Sequence, residues 1–432
     1  MKNANPALIA LVAEGFLMRL GFGIIGFTLP LYARHLGLSL AETGALIALT
    51  NVAKVALKPV TGWLADRVGA KRALVAALGL RSVVAFLFAF ASVPWQLYAI
   101  RTIHGLSTSV RDPAVNALIA ENGDEKTMGS AFAWYFTAKS LASALGKAVA
   151  GVLLWLTASS FSAVFFVTWV ISSLTLPAVI LFVPGVTRKR AVEKDRESQS
   201  TASAESASPE TREERQLFYS KAFSVVGLGF LISTTASMID RFYPILATEY
   251  AGMTEAQAGV VYLASAGVTL VAGPLFGWMS DRFGRKPIVA VRSIANAGSS
   301  LLYLLAPNAT GFTAGKLLDE GGKAGFRPAW GALKAEVSSL RKSKRAQMMG
   351  LMDVGDDAGD VVGPIGGGLL WDAWGIVGLV VTRIALAVLT EVYAAAVIWR
   401  RPKARTVMRR QSRLHWVPWV RKQSEDQTKR GF

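Results

Sequence analysis

Several ionisable side chains of this 432-residue chain lie inside long apolar runs, where charge is costly and marks a working site by default. In the run near 95–119, Arg101, His104, Thr108 and the pair Arg111–Asp112 fall at i, i+3, i+7 and i+10/11, one face of a helix. In the run near 309–334, Lys316, Glu320, Lys323 and Arg327 fall at i, i+4, i+7 and i+11, with Asp319 alongside. A third run carries Asp353, Asp356, Asp357 and Asp360, and Lys139 and Lys147 share one face of a fourth. Arg19, Asp240 and Arg241 are charges in two more. Basic groups in such stripes hold an anionic solute or chelate; carboxylates carry protons or coordinate a hard cation through oxygen. Four aspartates on two helical turns cannot all ionise cheaply. Asp356, Asp357 or Asp360 is therefore the expected proton carrier, and Asp356 and Asp360 are candidate metal ligands. The simpler reading is mutual neutralisation: Lys139 with Asp356 or Asp360, and Asp240 with Arg241. His104 either titrates near neutral pH or is a satisfied neighbour of Arg101.

Composition narrows the chemistry. The chain is 52% apolar and 18% charged, against about 25% charged in soluble domains. Mean hydropathy is +0.38. A soluble enzyme and a disordered chain are excluded. Cysteine is absent, and three histidines (His35, His104, His415) are too scattered for a metal cage. No phosphate-binding glycine loop, HExxH or buried Ser-His-Asp order is present, so no catalytic residue and no cofactor is expected. Transport would draw on gradients.

The elements that must position these charges are membrane-spanning helices. Twelve spans fit near 8–31, 43–64, 73–92, 95–119, 128–157, 161–184, 219–247, 256–279, 287–306, 309–334, 346–371 and 375–399. No cleaved signal peptide is expected. With the N-terminus inside, the outer loops hold a single basic residue, Arg34, while Lys and Arg crowd the inner segments. This places both termini in the cytoplasm. Residues 1–186 and 219–399 form two six-span halves. The stretch 187–218, rich in Ser, Glu and Arg, reads as a disordered cytoplasmic linker. The tail 400–432 has eleven Lys/Arg, which explains much of the +18 net charge. It reads as a solvated anchor or a segment on anionic lipid headgroups, and not as a nucleic-acid binder.

The halves repeat at an offset of 215 residues. Gly62-Trp-Leu-Ala-Asp66-Arg67-Val-Gly69 recurs as Gly277-Trp-Met-Ser-Asp281-Arg282-Phe-Gly284, and Pro113-Ala114 recurs as Pro328-Ala329. The chain resembles the major facilitator superfamily over nearly its whole length. That family's loop signature, G-x-L-a-D-r-x-G-r-k, is matched by Gly62, Asp66, Arg67, Gly69 and Lys71, with Ala70 for one basic residue. The second copy keeps Gly277, Asp281, Arg282, Gly284 and Arg285. The resemblance implies an all-α membrane protein of two pseudo-symmetric six-helix bundles. It implies a central cavity lined by spans 1, 4, 7 and 10, and interface contacts among spans 2, 5, 8 and 11. It also implies a gating latch at Asp66 that stabilises an outward-facing state.

A second signature, R-x-x-q-G-x-g, is matched at Arg101-Thr-Ile-His104-Gly105, with His for the usual Gln. In drug/proton antiporters that arginine is tied to proton transfer. Gly359-x-x-x-Gly363-Pro364-x-x-Gly367-Gly368 resembles the antiporter signature usually found in span 5; here span 5 has Gly146-Lys147 instead.

Function follows as secondary transport of a small molecule or ion, coupled to protons. A narrower resemblance is carried by R-x-P-A-x-x-A-L-x-A-E at the ends of spans 4 and 10, with the aspartate-rich span 11. It points to the magnetosome-associated facilitators of magnetotactic bacteria (the MamH type). It implies iron, as ion or chelate, as favoured cargo, and the bacterial inner membrane or the magnetosome membrane as location. The alternative is a small organic anion, zwitterion or drug. A non-transporting receptor is a third reading, opposed by the gating loops.

Overall fold

A computed structural model describes residues 6–122, 128–184, 212–283, 285–339 and 345–398. Among them every long element is helical: α1 Pro6–His35, α2 Leu40–Val68, α3 Ala70–Phe90, α4 Pro94–Asn122, α5 Met128–Leu156, and α6 Phe161–Ser173 resuming as Thr175–Phe182. Then come α7 Arg212–Asp240, α8 Glu255–Phe283, α9 Arg285–Leu305 and α10 Ala309–Ser339. A last rod, Arg345–Tyr393, is two helices broken at Gly375 (φ 64°, ψ −170°), a backbone state open to glycine. These are α11 (345–374) and α12 (376–393). The tail 400–432 and most of the linker lie outside the described residues. Helix α7 begins at Arg212, several residues inside the stretch read as linker.

Among the described residues, nine segments are long and apolar enough to cross a membrane. Helices α4 and α10 are not among them, because they carry the charge stripes, and the Met348–Ala396 segment contains two crossings. The total is the expected twelve.

The repeat is visible in local chemistry. At the start of α2, Ser39 and Glu42 cap each other's backbone N–H (2.8 and 3.2 Å). At the equivalent start of α8, Thr254 and Gln257 do the same (2.9 and 3.2 Å). Both are capping boxes, which satisfy amide donors left free by the first helical turn. One half meets the other through α2 on α11 and α5 on α8. Gly44 lies against Pro364 and Gly368 against Leu40, while Gly151 meets Gly259. Small residues let helix backbones approach this closely.

The glycines of α11 otherwise serve a different contact from the one the sequence suggested. Gly355, Gly359, Gly363 and Gly367, every fourth residue, sit against Val226, Phe230, Thr234 and Met238 of α7, also every fourth residue. The stripe therefore packs α11 within its own half. Within this Gly/Pro string, Pro364 and Gly368 are the residues that lie against α2.

Among the described residues, several contacts between the halves lie at the end bearing the α1–α2, α5–α6, α7–α8 and α11–α12 turns, here the turn end. The Asp372 carboxylate accepts from the N–H groups of Leu40 (3.1 Å) and Ala41 (2.7 Å), capping α2 from across the interface. Arg34 bridges to Glu249 at 3.2 Å, two positions related by the 215-residue repeat. Ser159 donates to Glu255 at 3.0 Å.

The glycine stripe makes a stability prediction. Gly359→Val must push α11 off Phe230 and Ser233 and should cost about 1–3 kcal/mol. Gly366→Val, at a position with open space, should leave the unfolding midpoint in detergent unchanged. Equal midpoints for the two variants would contradict the packing described.

Candidate functional site

In the first half, Arg111 of α4 is the organising charge. Glu14 of α1 accepts from its Nε and Nη2, both at 2.8 Å. Arg111 also donates to Asp112 (3.1 Å) and to the Tyr135 hydroxyl of α5 (3.0 Å). Arg111 and Glu14 are 2% and 0% exposed, so this is a fully desolvated pair. His104 lies between two guanidinium groups, Arg81 Nη2 at 3.1 Å and Arg101 Nη1 at 3.4 Å, and stacks on Phe22 at 4.3 Å. Guanidinium groups only donate, so a neutral His104 ring can accept from one of the two and not from both. Arg101 donates to the α2 carbonyls of Ile47 (2.7 Å) and Leu46 (3.2 Å). Its guanidinium thus ties α4 to α2.

Lys139 does not meet the α11 aspartates. Its ammonium lies over the rings of Tyr135 (5.0 Å) and Phe136 (5.6 Å) on its own helix. It joins Arg19, Arg81, Arg111 and Asp112 around a small cavity of about 70 Å³. Arg19 stands exposed to that cavity, within electrostatic reach of Arg111, Asp112, Arg241 and Arg327.

In the second half, four charges alternate in a ring. Lys316 reaches Asp240 (2.5 Å) and Glu320 (2.9 Å), and Lys323 reaches the same two (3.2 and 3.4 Å). The expected Asp240–Arg241 pair is replaced by this ring. Adjacent side chains of one helix point apart, so Asp240 faces α10 and Arg241 faces Asp360 at 3.5 Å. The ammonium of Lys147, from α5, lies 4.3 Å over the Tyr262 ring of α8. Arg327 donates to Ser140 across the interface at 3.3 Å.

Behind the ring sits a buried triad. Asp319 accepts from Arg383 of α12 (2.7 Å) and Arg292 of α9 (3.3 Å). Arg383 also donates to Asn296, Ser299 and Ser300 of α9 and the Thr235 carbonyl of α7. This is a framework joint of four helices.

The α11 aspartates do not confront one another; each has a cation. Asp353 (2.5 Å) and Asp356 (3.0 Å) share Lys334, Asp357 takes Lys54 of α2 (3.0 Å), and Asp360 takes Arg241. The mutual repulsion expected from spacing is therefore relieved by partners on α10, α2 and α7. Nor do Asp356 and Asp360 form a metal cage. Among the described residues the group of potential ligands is Asp240, Asp319 and Glu320, with oxygens within 4.8 Å of one another. Lys316, Lys323, Arg292 and Arg383 already occupy those carboxylates.

Of the gating loops, Lys71 donates to the Ile180 carbonyl (3.1 Å) and Gly69 turns the chain at φ 92°. Arg67 is exposed, Arg282 lies over the Trp278 ring at 5.4 Å, and Gly277 has open space around it. Gly62, Asp66, Asp281, Gly284 and Arg285 lie outside the described side chains, and the Asp66 latch with them.

Sequence reasoning missed Arg81, Arg292, Arg383 and Lys334 as members of these clusters. The signal was present: the three arginines are charges inside apolar runs, the same rule that singled out α4 and α10.

A bundle of twelve helices in two repeated halves, with charge clusters at its centre, defines a multi-pass membrane transporter. The sequence profile of the Major Facilitator Superfamily matches residues 14–239 and 225–424, and the chain belongs to that family. It is 22% identical over 373 residues to Multidrug resistance protein 2 of Bacillus subtilis (strain 168), covering 86% of this chain and 90% of that protein. Over 117 residues it is 34% identical to Quinolone resistance protein NorA of Staphylococcus aureus (strain N315), 27% of this chain and 30% of that one. The chain thus spans under a third of the length of the first curated relatives it matches. A bacterial homologue of the human lysosomal transporter Spinster, solved inward-facing and unoccupied, superposes with TM-score 0.72 at 14% identity, covering 90% of this chain and 95% of that chain. A point mutant of the nucleoside transporter NupG superposes at 0.69 with 15% identity, over 91% and 99%. These structural likenesses concern the fold.

The triad yields a test. Asp319→Asn leaves two buried guanidinium groups without their carboxylate and should cost about 3–5 kcal/mol, read as a lowered unfolding midpoint. An unchanged midpoint would mean the joint is held by its neutral hydrogen bonds alone.

Proposed function

We propose that this protein is a secondary active transporter that moves a small organic solute in exchange for protons by alternating access. The observation that carries this reading is the set of cross-half contacts at the turn end, taken with the charge clusters carried by α1, α4, α7 and α10. The Lys/Arg distribution supports the turn end as outer, which gives an inward-facing chain with both termini in the cytoplasm of a bacterial inner membrane. Two full bundles, 1–186 and 219–399, would then rock about the α2·α11 and α5·α8 contacts.

The relatives named for quinolone and multidrug resistance support an organic cargo and export. Iron, favoured by the narrower sequence resemblance, finds less support. An incoming metal would have to displace two lysines and two arginines from Asp240, Asp319 and Glu320. A magnetosome location likewise gains nothing from the relatives.

Asp360 is the proposed proton carrier. Its pair with Arg241 is the longest of the α11 set, and both side chains are 41% exposed. A long, hydrated pair is the cheapest to break and remake during a cycle. Asp360→Asn in proteoliposomes should abolish norfloxacin flux driven by a pH gradient while leaving norfloxacin counterflow intact. Retained gradient dependence would remove Asp360 from the coupling step.

A further inference from the structure

We propose that the small cavity of the first half takes an oxyanion, and that the cargo is an organic anion held there by Arg19 and Lys139. The proposal rests on the transport reading above and names its substrate class. The cavity wall carries four cations, Arg19, Arg81, Arg111 and Lys139, against one carboxylate, Asp112. Two of the cations are engaged. Arg111 is held on both of its inner faces by Glu14 and Tyr135. Arg81 is held by Thr108 at 3.0 Å and by His104. Asp112 is bonded to Arg111, with its side chain 45% exposed. Arg19 and Lys139 have no carboxylate partner among the described residues.

An oxyanion seated between Arg19 and Lys139 would gain charge-assisted hydrogen bonds from both and offset their mutual repulsion. Arg19 is also within electrostatic reach of Arg241 and Arg327 of the other half. Like charges on opposing halves resist closure at the centre. An anion between them removes the resistance, so the same ligand that fills the cavity favours occlusion. The cavity, about 70 Å³, has room for the oxyanion group itself, so the organic body of the cargo would lie outside it. A cationic cargo would meet a single carboxylate already bonded to Arg111.

The test uses the purified full chain and two probes of equal shape and opposite charge, 1-naphthalenesulfonate and 1-naphthylmethylammonium, by isothermal titration. The sulfonate should bind at least about tenfold more tightly than the ammonium, a comparison that needs no variant. Arg19→Gln and Lys139→Gln should each weaken sulfonate binding about tenfold, with Lys139→Arg retaining most of it. Equal binding of the two probes, tighter binding of the ammonium, or unaltered sulfonate affinity in Arg19→Gln would overturn the assignment. Norfloxacin counterflow separates the two readings. If flux persists while the sulfonate fails to bind, the anion site is wrong and the transporter stands. If neither norfloxacin nor the sulfonate shows counterflow while the sulfonate binds as expected, the transport reading fails.

Discussion

A charge inside the membrane must be matched by another charge or by a hydrogen-bond partner, and that requirement fixes how the helices of this protein sit. Arg111 cannot stay on α4 without Glu14 on α1. Asp319 binds α10 to α9 and α12 through Arg292 and Arg383. Each such pair is a joint between helices that lipid alone would not order, because apolar helix faces are as content against acyl chains as against each other. The joints are unequal. Arg111–Glu14 and Asp319–Arg383 are dry and short. Arg241–Asp360 is long and half-exposed. The dry pairs act as framework, because breaking them strands a desolvated charge. The wet ones can exchange partners during a transport cycle at low cost.

Close backbone contact supplies the second constraint. The α7–α11 glycine stripe makes one rigid unit of two helices that carry Asp240, Arg241 and Asp360 at its cavity side. Between the halves, the described contacts run from the turn end down to Lys54–Asp357 and Arg327–Ser140, and many of them are polar. Asp372 caps α2 across the interface with the same amide donors that any helix start leaves free. Such an interface can open without unfolding either side.

Much of this was legible in the sequence. Most of the spans emerged within a few residues, because long apolar runs are local signals; the seventh, read at 219–247, is helical over Arg212–Asp240. The 215-residue repeat and its loop signature carried the family. The charged stripes of α4 and α10 were legible from their helical spacing. Partnering was not legible. The reading that paired Lys139 with Asp356 or Asp360, and Asp240 with Arg241, followed charge balance and proximity in the chain, whereas the partners found lie elsewhere. Lys334 and Arg383 escaped notice because the search followed polar stripes and passed over single charges. The glycines of α11 matched a known string, yet the string does not say which neighbour the glycines face.

The central claim is that the closed turn end and the opposite end open alternately. Because the chain has no native cysteine, spin labels can be placed cleanly at introduced ones. One pair, Trp95→Cys with Trp374→Cys, reports the turn end; a second, Val68→Cys with Phe283→Cys, reports the opposite end. Pulsed electron spin resonance in liposomes should show a short turn-end distance and a long opposite-end distance at rest. Under an imposed pH gradient with norfloxacin present, a second population should emerge with the two distances changed in opposite senses. Distances that stay fixed at both ends during measured flux would contradict the account.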